Sequence, residues 1–206
     1  VKSPLLFVIG VILASCGSLP VFIAEPPPPS DPVARPGEPA EGAAVAAAAR
    51  SLVGRRSLRI RGRVFPLDCS GLILAIFYQA GLDLTPAFAE ETGNGVKRLW
   101  KMGTPVAESE IAPGDIIFWD NTYDRNRNNL WDDELTHAGI VSAIDGEGTI
   151  FYVHHNYRRG IVEEKMNLQR PHDTTVNSAM RMRGQRDPQG ARWLSSHLFR
   201  EARRLY

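Results

Sequence analysis

Helix-type segments in the first half of the chain and strand-type runs in the second predict an α+β domain with an antiparallel sheet. Residues 67–72 read Leu-Asp-Cys-Ser-Gly-Leu and lead straight into the apolar run 72–77. That is the pattern of a loop feeding a buried helix, with Asp68 near its N-cap and Cys69 in its first turn. From Pro113 onward, brief apolar runs alternate with Gly- and Asp-containing turns, the pattern of hairpin-connected strands.

The 206 residues suffice for one sizeable domain and a tail. Lys and Arg number 24 against 23 Asp and Glu, a formal net charge of +1, so composition gives no ground for a dedicated nucleic-acid binder. The two cysteines stand in such different contexts that they read as serving separate purposes rather than pairing. Lys2, the apolar run 5–13 and Leu13-Ala14-Ser15-Cys16 open the chain. The run falls short of the roughly 20 residues a transmembrane helix needs and suits a signal-peptide core. Leu-Ala-Ser-Cys resembles the bacterial lipobox. That resemblance implies a lipoprotein signal peptide over residues 1–15, acylation of Cys16 and, with Gly17 next, an outer-membrane anchor facing the periplasm. The alternative is an ordinary secretory signal with an incidental cysteine. Pro26–Pro29, Pro32, Pro36 and Pro39 then make residues 16–43 an extended tether between anchor and domain.

The domain is expected over residues 44–206. Residues 44–53 are Ala-rich and end at Gly54, a helix. Arg55, Arg56, Arg59, Arg61 and Arg63 alternate in part with Leu58, Ile60 and Val64, as in an edge strand or extended loop with a basic face. That face is either solvated or in contact with anionic polymer or lipid headgroups. The helix carrying Cys69 should run to about Ala80, with Gly81 as its cap. Residues 86–102 read as a less regular helical connection broken at Gly93-Asn94-Gly95. Strands follow at 116–119, 137–141 and 149–155, with 161–163 as a further edge. Trp193, Leu194, Leu198, Phe199, Ala202 and Leu205 fall at helical spacing and predict a closing amphipathic helix over 190–206.

A lone cysteine beside an apolar run can simply pack. At a helix start, however, the free N–H groups and the dipole favour a thiolate, so the expected pKa of Cys69 is lowered. A nucleophilic thiol also needs a base, and the base a group that fixes its tautomer. His137 opens one strand and His154 lies near the end of the next, so pairing would make them neighbours. Cysteine on a helix before histidine on a sheet is the papain-like order.

Asp68-Cys69-Ser70-Gly71-Leu72, Gly114-Asp115-Ile116-Ile117-Phe118, Thr136-His137-Ala138-Gly139-Ile140-Val141 and Tyr152-Val153-His154, in that order, resemble the successive motifs of the NlpC-type cell-wall peptidases. The resemblance implies a papain-like cysteine hydrolase acting on peptidoglycan stem peptides, commonly between D-glutamate and a diamino acid. It makes Cys69 the nucleophile, His137 the general base and His154 the orienting residue, with no cofactor required. Asp68 caps the helix, and the Ser70 N–H is placed to support an oxyanion. His155 adjoins His154, and a one-residue slip would exchange them. The family's Tyr-Gly-Gly before Asp-Cys is absent here, and the Arg-rich segment takes its place. Two rival readings follow: an amidase at the sugar–peptide junction, and a catalytically silent wall-binding lipoprotein.

Between the second and third motifs, oxygen-bearing residues alternate in a pattern that resembles the start of a calcium-binding loop. Asp124, Asn126, Asn128, the Leu130 carbonyl and Asp132 are its candidate ligands for Ca2+. Asn129 stands at the usual Gly and tolerates a left-handed backbone. A Leu stands where the bidentate Glu belongs, so the alternative is a polar Asx-rich loop at the rim of the site. His172 and His197 make no zinc pattern with the others.

Overall fold

The computed structural model describes residues 40–181 and 192–206. The expected signal segment, Cys16 and nearly all of the Pro-rich tether lie outside the described residues. So do residues 190 and 191 of the expected closing helix.

Helix α1 (Ala40–Ser51) starts four residues before the expected Ala44 and is followed by Gly54 in the left-handed region. The Arg-rich stretch forms a separate two-stranded hairpin of β1 (Leu58–Ile60) and β2 (Arg63–Phe65). Leu58, Ile60 and Phe65 turn inward while most of the arginines stay exposed. Helix α2 (Cys69–Gln79) is capped as expected: Asp68 Oδ1 accepts the Gly71 N–H at 2.7 Å. Gly71 is required by close approach, because a Cβ there would lie 2.1 Å from the Pro66 carbonyl oxygen. The helical connection is α3 (Thr85–Glu90) and α4 (Gly95–Met102), with Asn94 capping the latter.

The sheet has six strands in the order β3-β8-β4-β5-β6-β7, with every neighbouring pair antiparallel. Strands β4 (Ile116–Trp119), β5 (His137–Ile144), β6 (Ile150–Asn156) and β7 (Gly160–Met166) stand where the apolar runs placed them. Strand β3 (Thr104–Val106) is an addition that its Pro105 had concealed, and its place at the sheet edge is where a proline is tolerated.

The end of the chain departs from expectation. Among the described residues of that stretch only Ser195–Leu198 is helical (α5), and Phe199–Arg204 is strand β8, lying between β3 and β4. Apolar spacing alone favoured a helix, but two open strand flanks supply a ladder on each side, and that pairing overrides local periodicity. The charged residues of β8 are absorbed by partners. Arg203 stacks 4.0 Å from the Trp100 ring centroid, and Arg200 pairs with Asp120. Arg204 makes a two-pronged contact with the fully buried Asp115 at 2.7 and 2.8 Å.

One core lies between α1, α2, the hairpin and one sheet face, and includes Leu52, Leu72, Ile76, Phe77, Phe118, Ile140 and Val153. The opposite face carries a second, around Trp119, Val141, Tyr152, Met166 and Leu198. Removing the carboxylate of Asp115 should strand the Arg204 charge and the Ala112 N–H that Asp115 Oδ2 accepts at 2.8 Å. Chemical denaturation of Asp115→Ala is therefore expected to show a loss of about 3 kcal/mol or more. Asp83→Ala, which removes an exposed pair with Arg63, should remain near wild type.

Candidate active site

The Cys69 thiol sits at the start of α2, half-buried against the first core. Ser70 Oγ donates to Asp68 Oδ1 at 2.9 Å, which ties the capping carboxylate to the first turn. The backbone N–H groups of Ala138, Ser70 and Cys69 itself face the sulfur and favour its ionised form, as a helix start should. They do not prevail. Burial first, and the Asp68 carboxylate second, push the thiol up to about 11, which corrects the expectation of a lowered value. That raised value keeps Cys69 a thiol rather than a thiolate at neutral pH.

Contact with the Ala138 N–H places Cys69 one residue along the chain from His137, the first residue of β5. His137 pairs in register with Trp119 of β4, whose ring centroid lies 5.8 Å from the imidazole. Trp119 is held by its own Nε1–H, which donates to the Ser195 carbonyl at 2.9 Å. Across the other edge of β5, His137 Nε2 stands 2.8 Å from His154 Nδ1, with the two rings edge to face. The structure thus brings His154, and not His155, against His137. His155 lies on the side where the Asp68 carboxylate acts on it. Gly139 makes the packing possible, because a Cβ there would approach His154 Cβ at 3.2 Å and the Val153 carbonyl at 3.1 Å.

Burial holds both imidazoles neutral. His137 is pushed well below 6.5, first by desolvation and then by His154 and His155. His154 falls from 6.5 to about 3, by desolvation and by the nearby Arg159 guanidinium. The thiol thus faces the N–H of the residue that follows His137, and His137 is a neutral imidazole engaged through Nε2 with His154, a group chemically able to accept a thiol proton.

The sequence of the chain here matches the pattern of the NlpC/P60 family over residues 54–180. The chain belongs to that family. A 76-residue stretch, 37% of the chain, is 36% identical to the γ-DL-glutamyl hydrolase of Bacillus subtilis (strain 168) and spans 15% of that relative's length. Among solved structures, an NLP/P60-family protein from Staphylococcus aureus, titled as similar to a lipoprotein, aligns over 80% of this chain and 41% of its own. Its TM-score is 0.44 at 18% identity.

The polar loop before β5 is organised by its own amides. Asn126 and Asn128 side chains donate to Asp132, Asp124 Oδ2 accepts the Asn129 N–H, and Asn128 Oδ1 accepts the Leu130 N–H. Asn129 takes the left-handed backbone, φ 62°. Asp124, Asn126, Asn128 and Asp132 are linked by these bonds, with several of their oxygens engaged by N–H donors. No group of three or more His, Cys, Asp or Glu side chains is arranged to hold a metal among the described residues. The loop's far end helps line a cavity of about 380 Å³, where Leu135 meets Arg125, Lys97 and Arg200.

Two partners escaped sequence reasoning. Glu164 of β7 lies behind His154, its Oε2 3.3 Å from Nε2, and Arg159 is ion-paired to the other oxygen. The available signal is an acidic residue, Glu164, just past the run 161–163 that marks this strand.

The two histidines leave a signature in stability. Both stay neutral in the fold while the unfolded chain protonates them near 6.5, so below that pH the unfolded chain binds more protons. Stability is expected to fall as pH drops from about 6.5 toward about 3. The slope is up to ~1.4 kcal/mol per pH unit for each histidine. Thermal unfolding across that range should show a shallower decline for His154→Gln than for wild type.

Proposed function

We propose that the chain is a cell-envelope cysteine peptidase that hydrolyses an amide bond in peptidoglycan stem peptides, between a D-glutamyl residue and a diamino acid. The observation that carries this reading is the alignment of the Cys69 thiol beside the Ala138 N–H with the 2.8 Å contact between His137 Nε2 and His154 Nδ1. Membership of the NlpC/P60 family supports it, as does likeness to a relative whose name specifies a glutamyl hydrolase.

In the proposed reaction, His137 takes the thiol proton as Cys69 Sγ attacks the carbonyl carbon. The N–H groups at the start of α2, including that of Ser70, receive the developing oxyanion. His137 then passes its proton to the leaving amine as the C–N bond breaks, leaving a thioester on Cys69. Water, deprotonated by His137, attacks the thioester and releases the acid and the thiol. His154 acts through His137 by holding its ring. Thiol, imidazole and backbone N–H groups supply this chemistry, and the Asp124–Asp132 loop serves as a polar rim.

No helix among the described residues is long and apolar enough to cross a membrane. The anchor in this reading is the lipid on Cys16, with the Pro-rich segment as tether, so the domain works on the wall from a membrane surface, the outer membrane facing the periplasm.

Full-length protein incubated with purified peptidoglycan, beside Cys69→Ala, tests this directly. Mass analysis should find stem-peptide fragments ending in D-glutamate in the wild-type sample, reduced at least ~10³-fold in the variant. Fragments cut at the sugar–peptide junction would make the chain an amidase. A wall left intact by both, with protein still sedimenting with it, would make it a binding protein.

A further inference from the structure

Beyond the cysteine and two histidines, we infer that Glu164 is a positioning residue that completes a buried relay, Cys69–His137–His154–Glu164, and sets the tautomer and basicity of His137. The inference deepens the peptidase reading and rests on it for the role of His137.

With Glu164 paired to Arg159 as a carboxylate, the geometry favours one arrangement of protons. Glu164 is 6% exposed and sits on β7 in register with Tyr152 of β6. An ionised carboxylate only accepts. Its Oε2 accepts the Tyr152 hydroxyl at 3.3 Å and lies 3.3 Å from His154 Nε2. Nε2 is buried and makes no hydrogen bond among the described residues, and the Glu164 carboxylate oxygen 3.3 Å away is the group positioned to take its proton, which places that proton on Nε2. A neutral imidazole then presents a lone pair at Nδ1. That lone pair accepts from His137 Nε2–H across 2.8 Å, which leaves His137 with a bare Nδ1 as its basic atom. With the opposite tautomer, a bare Nε2 would face the carboxylate, lone pair against negative charge.

Charge follows the same line. When His137 accepts the thiol proton, the imidazolium forms in a desolvated place, and Glu164 is the negative group one imidazole away. At 3.3 Å its contact is longer than the ~2.8 Å of a tight charge-assisted bond, so it can shorten as positive charge develops. Arg159, on the turn before β7, holds Glu164 by an ion pair and keeps the buried carboxylate compensated. The other titratable groups around the two imidazoles are Tyr152 and His155 of β6, and Asp68 of the α2 cap acting on His155. Glu163, the next residue along β7, is exposed and accepts from Ser142 Oγ, outside the relay.

The test compares full-length wild type, Glu164→Gln, Glu164→Asp and Glu163→Gln on a peptidoglycan stem peptide, with imidazole ¹⁵N spectra of each. Glu164→Gln should lower kcat about 10- to 100-fold with little change in KM. The acid limb of its pH profile should move to lower pH, because the imidazolium loses its counter-charge. Glu164→Asp should recover most of the rate, and Glu163→Gln should match wild type. Wild-type spectra should show both histidines protonated at Nε2, and Glu164→Gln should mix the tautomers. Wild-type kcat and an unmoved acid limb in Glu164→Gln would overturn the inference. So would equal losses in all three variants with unmoved tautomers. If the wild type cuts no peptide, the peptidase reading fails on its own. The relay is then decided by the spectra and by the pH dependence of iodoacetamide labelling at Cys69. A labelling curve shifted in Glu164→Gln supports it, and one superimposable on wild type overturns it.

Discussion

Helix α2 is buried along seven consecutive residues, Gly71–Phe77, and the rest of the domain is arranged to allow that. A helix apolar on all sides has to be enclosed, and here the hairpin, α1 and one sheet face enclose it. Each large side chain so buried contributes roughly 1.5–3 kcal/mol, enough to hold the helix start in one place. Because Cys69 is the first residue of α2, the position of the thiol is a consequence of core packing. The Asp68 cap and the Gly71 approach to Pro66 then fix the first turn to within a hydrogen bond.

The same enclosure sets the electrostatics. A thiol at an open helix start would be acidified, but this one is desolvated by the core that positions it and faces a capping carboxylate. Both histidines are likewise driven neutral by burial. Cys69, His137 and His154 are therefore held uncharged, and the ionic groups stand one step back, at Glu164 and Arg159. In the proposed reaction such an arrangement places the burden on proton transfer, which is where a partner behind His154 would act.

The sheet contributes precision rather than mobility. Trp119, His137, Tyr152 and His154 come from three adjacent strands and lock together through ring contacts of 4.9 to 5.8 Å. Strand β8 joins the other side of β4, and its Arg204 is clamped onto Asp115 at the base of the same strand. The Asp115 of the second motif is thus a structural anchor for the strand that leads to Trp119.

Local sequence determined the elements whose cause is local. Asp68 before an apolar run specifies an N-cap and a helix, and Gly- and Asp-rich turns between short apolar runs specify β4 to β6. The motifs around Cys69, His137 and His154 were legible for the same reason, since each is a few contiguous residues that carry the family's sequence pattern. Tertiary structure decided what depends on partners distant in the chain. Residues 199–204 carry a helical apolar spacing yet form a strand, because β3 and β4 offer hydrogen bonds on both sides. Which of His154 and His155 meets His137 is a matter of strand register, and two adjacent histidines look alike until the sheet assigns each a face. The thiol's acidity depends on how deeply its neighbours bury it, and Glu164 joins the site only because β7 lies beside β6.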